Sequence, residues 1–161
     1  MPGTFEFCIP TRSTTVPDGP DWLHEIKYDG YRLRVERNGD RVRLITKGGY
    51  DWTKRYPWIV ESALKNRMKH FVIDGEAVIL GIDSRSDFDA LHSGKHNEEV
   101  QLYAFDMLAG DGDDMRSLPL SRCARPIWRG SWPVVRRASS PPRSSKARSV
   151  RTCSGRLASL G

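Results

Sequence analysis

Residues 32–46, RLRVERNGDRVRLIT, contain two runs in which apolar and charged residues alternate. A period of two places the apolar side chains on one face of a strand, so each run is predicted to be a half-buried strand. Asn38 and Gly39 stand between the runs, and this dipeptide is a strong signal for a hairpin turn. An antiparallel hairpin is therefore the feature around which the rest of the fold must be built.

Patterns along the rest of the first 122 residues predict further strands and two helices. The predicted elements are a strand over 22–28 with a turn at Asp29 and Gly30, a helix over 57–69, a strand pair or one bent strand over 71–80, a short helix over 86–95, a strand over 100–108 and a loop over 109–114. Pro57 opens the first helix, and Ser86 is the expected N-cap of the second.

The net charge of +6 is concentrated in the last quarter of the chain. Residues 1–122 hold 17 Lys and Arg against 20 Asp and Glu, a net charge of −3. Residues 123–161 hold 9 Lys and Arg and no acidic residue, a net charge of +9. A basic protein invites a nucleic-acid interpretation, but here only the tail is basic. The tail is rich in Arg, Ser, Pro and Gly without periodicity, a composition typical of disorder.

The three cysteines predict neither a disulfide framework nor a zinc site. Cys8, Cys123 and Cys153 lie far apart, with no C-x-x-C pair, so a reducing compartment is expected. The opening MPGTFEFCIP lacks the basic region and long apolar run of a secretory signal. The longest apolar stretch is short and broken by acidic residues, so no membrane span is expected. These observations predict a cytoplasmic protein.

Three short motifs follow one another along the body of the chain. They are KYDGYR at residues 27–32, DGE at 74–76 and YAFDML at 103–108. The first motif by itself would fit an ion-pair ladder on a strand surface, in which Lys27 has no chemical role. Asp-Gly-Glu by itself would fit a turn, and Phe105 by itself a core position. All three in order, each where a strand is expected, indicate a catalytic constellation.

This set of motifs resembles the ATP-dependent DNA ligases, within the covalent nucleotidyltransferase superfamily that also holds RNA ligases and mRNA capping enzymes. KYDGYR matches the nucleophile motif lysine-x-aspartate-glycine-x-arginine, DGE the third motif, and YAFDML the next. WLHEIKYDGYR and LITKGGYDWTKRYP also resemble the compact bacterial ligases, and the likeness covers residues 1–122. The resemblance implies an α/β fold, the N-terminal part of a DNA ligase or mRNA capping-type adenylation domain, with mostly antiparallel sheets and packed helices.

The resemblance implies that Lys27 is the nucleophile. In this superfamily a lysine amine attacks the α-phosphate of ATP, forms a lysyl-AMP phosphoramidate and expels pyrophosphate. A free lysine has a pKa of about 10.4, so neighbouring cations or burial must deprotonate it before it can attack. Mg²⁺ on the phosphates supplies positive charge and neutralises the leaving group. The implied cofactors are therefore ATP and Mg²⁺.

The resemblance also implies roles for residues in and around the motifs. Arg32 would hold the ribose or the nick phosphate, and Glu76 would bind the ribose hydroxyl or help to hold the metal. Phe105 would stack on adenine, and a glycine beside the nucleophile would let the backbone approach phosphate. The implied ATP-binding residues are Glu25, Lys27, Arg32, Glu76 and Phe105, with Asp29, Gly30, Asp74 and Asp106 as supports.

Nicked duplex DNA is the partner that the resemblance implies, with the chain acting as a monomer. Lys47 stands where many relatives have an arginine that contacts the nick. Arg55, beside Lys54, would touch the DNA backbone, and a solvated pair without a role is the alternative. The implied function is nick sealing in repair, recombination or replication. AMP passes from Lys27 to a 5′-phosphate, which the 3′-hydroxyl then attacks.

Residues 123–161 depart from the family pattern. The family's next motifs carry a metal-binding glutamate beside a glycine and two lysines near the α-phosphate, but the tail holds one lysine, Lys146, and no glutamate. Codons that encode residues 125–135, read one base earlier, permit KTNLARVLARR, an amphipathic helix pattern. We interpret the tail as a disordered frameshift product and residues 1–122 as a partial adenylation domain. The chain is therefore expected to be inactive or nearly so, and substantial sealing of a nicked duplex would overturn this expectation.

Two other functions fit part of the sequence. An RNA ligase or a capping-type nucleotidyltransferase would share the motifs, and labelling by GTP rather than ATP would distinguish a capping enzyme. A non-enzymatic nucleic-acid binder would use the basic tail, and Lys27 would then not matter for binding.

Overall fold

The computed structural model of the chain describes residues 5–7, residue 14 and residues 27–118. The elements in chain order are strands β1 (Tyr31–Asn38) and β2 (Arg41–Thr46), helix α1 (Pro57–Lys65), strand β3 (His70–Val78), helix α2 (Phe88–Ser93), a 3-10 turn (Asn97–Glu99), and strands β4 (Gln101–Gly110) and β5 (Asp113–Asp114). These strands form one sheet in the order β2-β1-β3-β4-β5, with every pairing antiparallel. The expected α/β fold with a mostly antiparallel sheet is confirmed.

The predicted hairpin joins β1 to β2 at one edge of the sheet. Asn38 pairs with Arg41, and Gly39 in the turn has a φ of 62°, a left-handed conformation that glycine adopts without strain. Leu33 and Val35 of β1 are fully buried on one face of the sheet, as the alternating pattern predicts. The hairpin therefore sets which face of the sheet becomes the core.

The hydrophobic core lies on one face of the sheet, between the strands and the two helices. It joins apolar side chains of the four long strands to Ile59 of α1 and Leu91 of α2. Helix α1 packs on β1 and β2. The opposite face, here called the polar face, carries mostly charged side chains, with a small apolar cluster around Phe5 and Val72 at one end. Both helices therefore leave the polar face uncovered.

Helix α1 ends at Lys65, earlier than the predicted end at residue 69. Arg37 of β1 is only 3% exposed, and its Nη1 donates hydrogen bonds to the carbonyls of Ala63, Asn66 and Met68 at 2.7, 2.8 and 3.1 Å. The last carbonyls of a helix lack partners within the helix, so a buried guanidinium at this point stabilises the end of the helix and the turn that follows. A contact from a distant strand therefore decides where α1 stops.

Helix α2 begins later than predicted, because Asp87 and not Ser86 is its N-cap. The Asp87 carboxylate accepts a hydrogen bond from the backbone N–H of Ala90 at 2.9 Å. The helix ends where Gly94 adopts the left-handed conformation with a φ of 69°. Neither this helix nor any other in the described part of the chain is long and apolar enough to span a bilayer.

The Asp-Gly-Glu motif lies within one continuous strand, β3, so the alternative of a strand pair is wrong. The irregularity is in β4, whose pairing with β3 shifts between Val72 and Ile73 and again between Asp74 and Gly75. Each shift inserts one extra residue into β4, as a β-bulge does, and a bulge re-aims the side chains around it. The residues that the pairing register skips are Phe105 and Leu108.

The loop predicted over residues 109–114 is largely strand, because β4 continues to Gly110 and β5 pairs with its end. Residues 27–29 have no regular structure, so the first predicted strand does not include them. The predicted ATP-binding residue Glu25 and the predicted tail, residues 123–161, lie outside the described residues.

Candidate active site

A row of three side chains crosses the polar face of the sheet. Arg32 of β1 lies opposite Glu76 of β3, which in turn lies opposite Tyr103 of β4. Directly paired residues of antiparallel strands project from the same face, so these side chains are neighbours. Each of them comes from a different one of the three sequence motifs. The fold therefore brings together motifs that lie tens of residues apart in the chain.

A buried ion pair binds the first motif to the second. Arg32 Nε and Nη2 donate to the two carboxylate oxygens of Asp74, both at 2.7 Å. The side chains of Arg32 and Asp74 are 13% and 1% exposed, and such two-point contacts are among the strongest between side chains. Asp74 lies between Arg34 and the buried Asp106 in the adjoining row. The guanidinium that the resemblance assigns to the ribose or the nick is thus held by Asp74.

The aromatic ring of Phe105 lies on the Arg32 guanidinium, with Cζ 4.4 Å from the ring centroid. Phe7, from the described N-terminal segment, approaches the same guanidinium at 5.9 Å and that of Arg34 at 5.4 Å. The face of an aromatic ring attracts a cation, so these contacts stabilise both arginines. Phe105, predicted to stack on adenine, therefore lies on the same face as Glu76.

Lys27 opens the described body of the chain, just before the polar face. Its side chain is 56% exposed, and Nζ lies 3.5 Å from Oδ1 of Asp29, whose side chain is 76% exposed. A contact of this length between exposed groups holds the lysine only weakly. The Lys27 amine is therefore open to a ligand that approaches from solvent.

Tyr28, the next residue, docks the Lys27 segment on the polar face. Its ring packs on that of Tyr103, with centroids 4.4 Å apart and planes inclined by 39°. Burial, together with the neighbouring Tyr28 phenol, raises the pKa of Tyr103 to about 12, and burial also raises the pKa of Tyr28. Both phenols are therefore uncharged at physiological pH and keep a proton to donate.

Gly30 packs directly against β3. A Cβ atom at this position would overlap the carbonyl oxygen of Ala77 and would lie 2.7 Å from Cγ1 of Val78. The preceding residue, Asp29, donates its backbone N–H to Oγ of Ser86 at 3.0 Å. The resemblance relates this glycine to the approach of phosphate, whereas the structure gives it a different reason, the close approach of the chain to β3.

The two candidate DNA-binding residues lie in different environments. Lys47 is exposed in the turn after β2, and its backbone N–H donates to the carbonyl of Arg32 at 3.2 Å, which places it beside the row on the polar face. Arg55 is half-buried, with Cζ 4.2 Å from the ring centroid of Trp52 and Nε 3.5 Å from Oδ1 of Asn97. Arg55 therefore packs in an aromatic cluster, and neither a DNA contact nor a solvated pair is decided by this arrangement.

Three residues of this site were not predicted from the sequence. Tyr28 and Tyr103 lie within the first and third motifs, and their position inside those motifs was the available signal. Ser86 was interpreted only as a helix cap, and no pattern in the sequence indicates its contact with Asp29.

A family described as the ATP dependent DNA ligase domain matches residues 11–126, which is most of the chain. The chain belongs to this family. Among similar proteins, the multifunctional non-homologous end joining protein LigD of Pseudomonas aeruginosa is 32% identical over 120 residues, which cover 71% of this chain and 14% of that protein. A probable DNA ligase of Streptomyces coelicolor is 34% identical over 108 residues, or 60% of this chain and 21% of that protein.

Solved structures of the same family share the fold. The ligase domain of LigD from M. tuberculosis superposes with a TM-score of 0.59 and 31% sequence identity, covering 67% of this chain and 36% of that chain. A mycobacterial DNA ligase D complexed with ATP and MES superposes with a TM-score of 0.58 at the same identity. The chain thus spans only a minor part of the length of the ligases that it matches.

The family match favours a relationship to the DNA ligases over one to the RNA ligases or capping enzymes. The polar face fits the nucleotide of that family, because it offers an arginine, a carboxylate and aromatic rings beside an exposed amine. Glu76 is half-buried in the row that also holds Arg32 and Tyr103. Both carboxylate oxygens of Asp74, in the adjoining row, bind Arg32. The resemblance assigns Glu76 to a ribose hydroxyl or a metal ion.

Proposed function

We propose that Lys27 is the residue that a DNA ligase adenylates. The observation that carries this proposal is the docking of the Lys27 segment at the edge of the polar face, where Tyr28 packs on Tyr103 beside Glu76. The exposed amine belongs to the residue before Tyr28, whose ring packs on the face where residues of all three motifs meet. ATP is the nucleotide that the family name supports.

The proposed first step joins Lys27 to AMP. Nζ gives its electron pair to the α-phosphorus of ATP, a P–N bond forms, and the bond to the bridging oxygen breaks, so that pyrophosphate leaves with that electron pair. The ammonium group must lose its proton for this attack, and the half-exposed side chain gives the proton access to water. Opening the contact between Lys27 and Asp29 is part of the same step.

The residues of the polar face would hold the nucleotide. Phe105 would stack on the base, and Glu76 would accept a hydrogen bond from the ribose. Arg32, held by Asp74, would bind the ribose or the nick phosphate. Mg²⁺ bound with the phosphates would supply positive charge to the leaving pyrophosphate, with Glu76 as the candidate protein ligand. Such sites usually combine one or two carboxylates with the substrate's own phosphates, which fits a single carboxylate in this row.

The proposed later steps join DNA. AMP passes from Lys27 to the 5′-phosphate at a nick in duplex DNA, and the 3′-hydroxyl attacks that phosphate and releases AMP. Lys47 is the candidate contact to the nick, since it is exposed beside β1. The relatives named as non-homologous end joining proteins support a role in DNA repair, although the chain spans only 14% of the first of them.

We also propose the division of the chain near residue 122. The change of composition there and the end of the family match at residue 126 support it. The gene sequence tests the frameshift origin of residues 123–161. A shifted frame that encodes a glycine-flanked glutamate and paired lysines is expected, and a frame that stops early would contradict the proposal.

Intact-mass spectrometry of the purified chain with ATP and Mg²⁺ tests the adenylation of Lys27. We expect slow gain of one AMP, which acid releases because a phosphoramidate is acid-labile. Lys27→Ala is expected to abolish the gain, whereas Lys65→Ala, which removes another exposed lysine with a nearby carboxylate, is expected to preserve it. A folded chain that gains no AMP, or a Lys27→Ala variant that still gains it, would contradict the proposal.

A further inference from the structure

We propose that Ser86 is a positioning residue for Lys27. This inference rests on the proposed function and concerns how the nucleophile is held. The Ser86 hydroxyl accepts the backbone N–H of Asp29 at 3.0 Å, across a separation of 57 residues in the chain. Asp29 is two residues from Lys27, so this bond fixes the backbone that carries the nucleophile.

Ser86 is itself held in a loop that backbone hydrogen bonds close. It forms a β-bridge with Leu80 at the end of a tight loop that follows β3. The loop is closed by two backbone hydrogen bonds, from Asp87 N–H to the Ile79 carbonyl at 2.8 Å and from Gly81 N–H to the Arg85 carbonyl at 2.9 Å. The hydroxyl therefore presents a fixed acceptor to Asp29.

The Ser86 side chain has no role in capping the helix that follows it. Asp87 accepts the capping hydrogen bond from Ala90, so Ser86 is not needed to begin α2. Serine at this position is thus explained by its contact with Asp29. A change at Ser86 can be made without removing the helix cap.

Three consecutive residues after Lys27 are each held by a different part of the fold. Tyr28 packs on Tyr103, Asp29 binds Ser86, and Gly30 lies against the Ala77 carbonyl. The Tyr28 and Gly30 contacts involve half-buried packing, whereas the Ser86 contact is one hydrogen bond. Deleting the hydroxyl therefore tests the orientation of Lys27 with the least disturbance to the core.

The expected effect is on rate and not on ATP binding, because Asp29 and Ser86 act on the position of the amine. A misplacement of about 1 Å in a reacting group can lower a rate by about 100-fold. Since two of the three contacts would remain, we expect Ser86→Ala to lower the maximal rate of lysyl-AMP formation by about 10-fold, with the ATP concentration for half-maximal rate unchanged. Ser86→Thr keeps the hydroxyl and is expected to restore most of the rate.

Ser93→Ala is the matched control. Ser93 Oγ also accepts a backbone N–H, that of Lys95 at 3.2 Å, but this contact lies at the far end of α2. We expect Ser93→Ala to adenylate like the parent chain. The Asp29 amide, followed by hydrogen exchange in nuclear magnetic resonance spectra, is expected to exchange faster in Ser86→Ala and at the parent rate in Ser93→Ala.

The outcomes separate this inference from the proposed function. A parent chain that gains no AMP defeats the proposed function and this inference with it. A parent chain that gains AMP at a rate that Ser86→Ala leaves unchanged overturns the inference and leaves the proposed function standing. A rate lost equally in Ser86→Ala and Ser93→Ala, or lost in Ser86→Ala without faster exchange at Asp29, also overturns it.

Discussion

Arg32 and Asp74 form a buried ion pair whose two members come from different motifs. Removing the cation would leave the Asp74 carboxylate, 1% exposed, without its two hydrogen bonds from the guanidinium. Removing one partner of a buried ion pair lowers the free energy of unfolding more than removing one partner of an exposed pair, because water does not replace the lost contact. The buried pair of Arg32 and Asp74 can therefore be compared with the exposed pair of Arg43 and Asp51.

We expect Arg32→Met to lower the free energy of unfolding by about 3 kcal/mol, the usual range for breaking a buried pair on one side. Arg43→Met, which breaks the exposed pair with Asp51, is expected to cost at most about 1 kcal/mol. Urea denaturation of both variants measures the difference. Equal losses would show that burial of the Arg32 pair is not what stabilises the fold.

Tyr103 makes the free energy of unfolding depend on pH in the alkaline range. Its pKa is raised from 10.0 to about 12 by burial, so the folded state holds the phenol proton more tightly than the unfolded state does. The resulting contribution to stability is complete below pH 10 and is lost as the pH rises through about 12.

We expect the free energy of unfolding of the parent chain to fall more steeply between pH 10 and about 12 than that of Tyr103→Phe. Tyr50→Phe is the control, because that ring is 71% exposed and its removal should leave the slope unchanged. Denaturant titrations across this pH interval provide the measurement. A Tyr103→Phe variant with the parent slope would contradict the assignment.

At the scale of elements, Arg37 links β1 to the end of α1. Its guanidinium donates to the carbonyl of Gly39 at 2.8 Å as well as to three carbonyls at and beyond the end of α1. We expect Arg37→Met to destabilise the chain by about 3 kcal/mol, because buried carbonyls would lose a charged donor. In Arg37→Met, hydrogen exchange is expected to become faster at the amides of α1 than at those of β3, which would show that the end of the helix is the part that is destabilised.

Arg41→Met provides the matched control for Arg37→Met. Arg41 stands across the same hairpin, opposite Asn38, but it is exposed. We expect its replacement to change stability by no more than about 0.5 kcal/mol. Comparable losses in the two variants would mean that the hairpin, and not the helix end, is the sensitive element.

The bulges of β4 also act at the scale of elements. Simple alternation would place Phe105 and Asp106 on opposite faces of the sheet. The register shift at Asp74 leaves Phe105 as the extra residue, so Phe105 reaches Arg32 while Asp106 still lies opposite Asp74. Two neighbouring residues of one motif therefore serve the same face.

At the scale of the molecule, both edge strands of the described sheet carry charged side chains. β5 has only two residues, both aspartates, and the other edge strand, β2, carries exposed Arg41 and Arg43. Short, charged edge strands disfavour pairing with a second chain. We therefore expect a monomer, which size-exclusion chromatography would test.

We expect the isolated chain of 161 residues to seal nicked duplex DNA poorly or not at all, even where it gains AMP. The reason is that residues 123–161 contain no glutamate and a single lysine, whereas the family pattern places a glutamate at the metal and paired lysines at the phosphates. A gel assay on a labelled nicked duplex measures sealing. Sealing that Lys27→Ala abolishes would contradict this expectation and show that the later motifs are less needed.

The hairpin, the strand that bears Asp-Gly-Glu and the family itself were accessible from the sequence, because alternation, turn residues and short motifs are local properties of a chain. The end of α1 and the bulges of β4 were not, because each depends on contacts made across the fold. The sequence also offered Ser86 as the cap of α2, whereas the structure uses the neighbouring Asp87. Arg37, on strand β1, binds the carbonyls at the end of helix α1. Ser86 binds Asp29, which lies 57 residues away in the sequence. The sequence by itself determined which side chains are the candidates for the chemistry. Only the tertiary structure decided what holds them, since hydrogen bonds and packing between distant segments leave no periodic trace in the sequence.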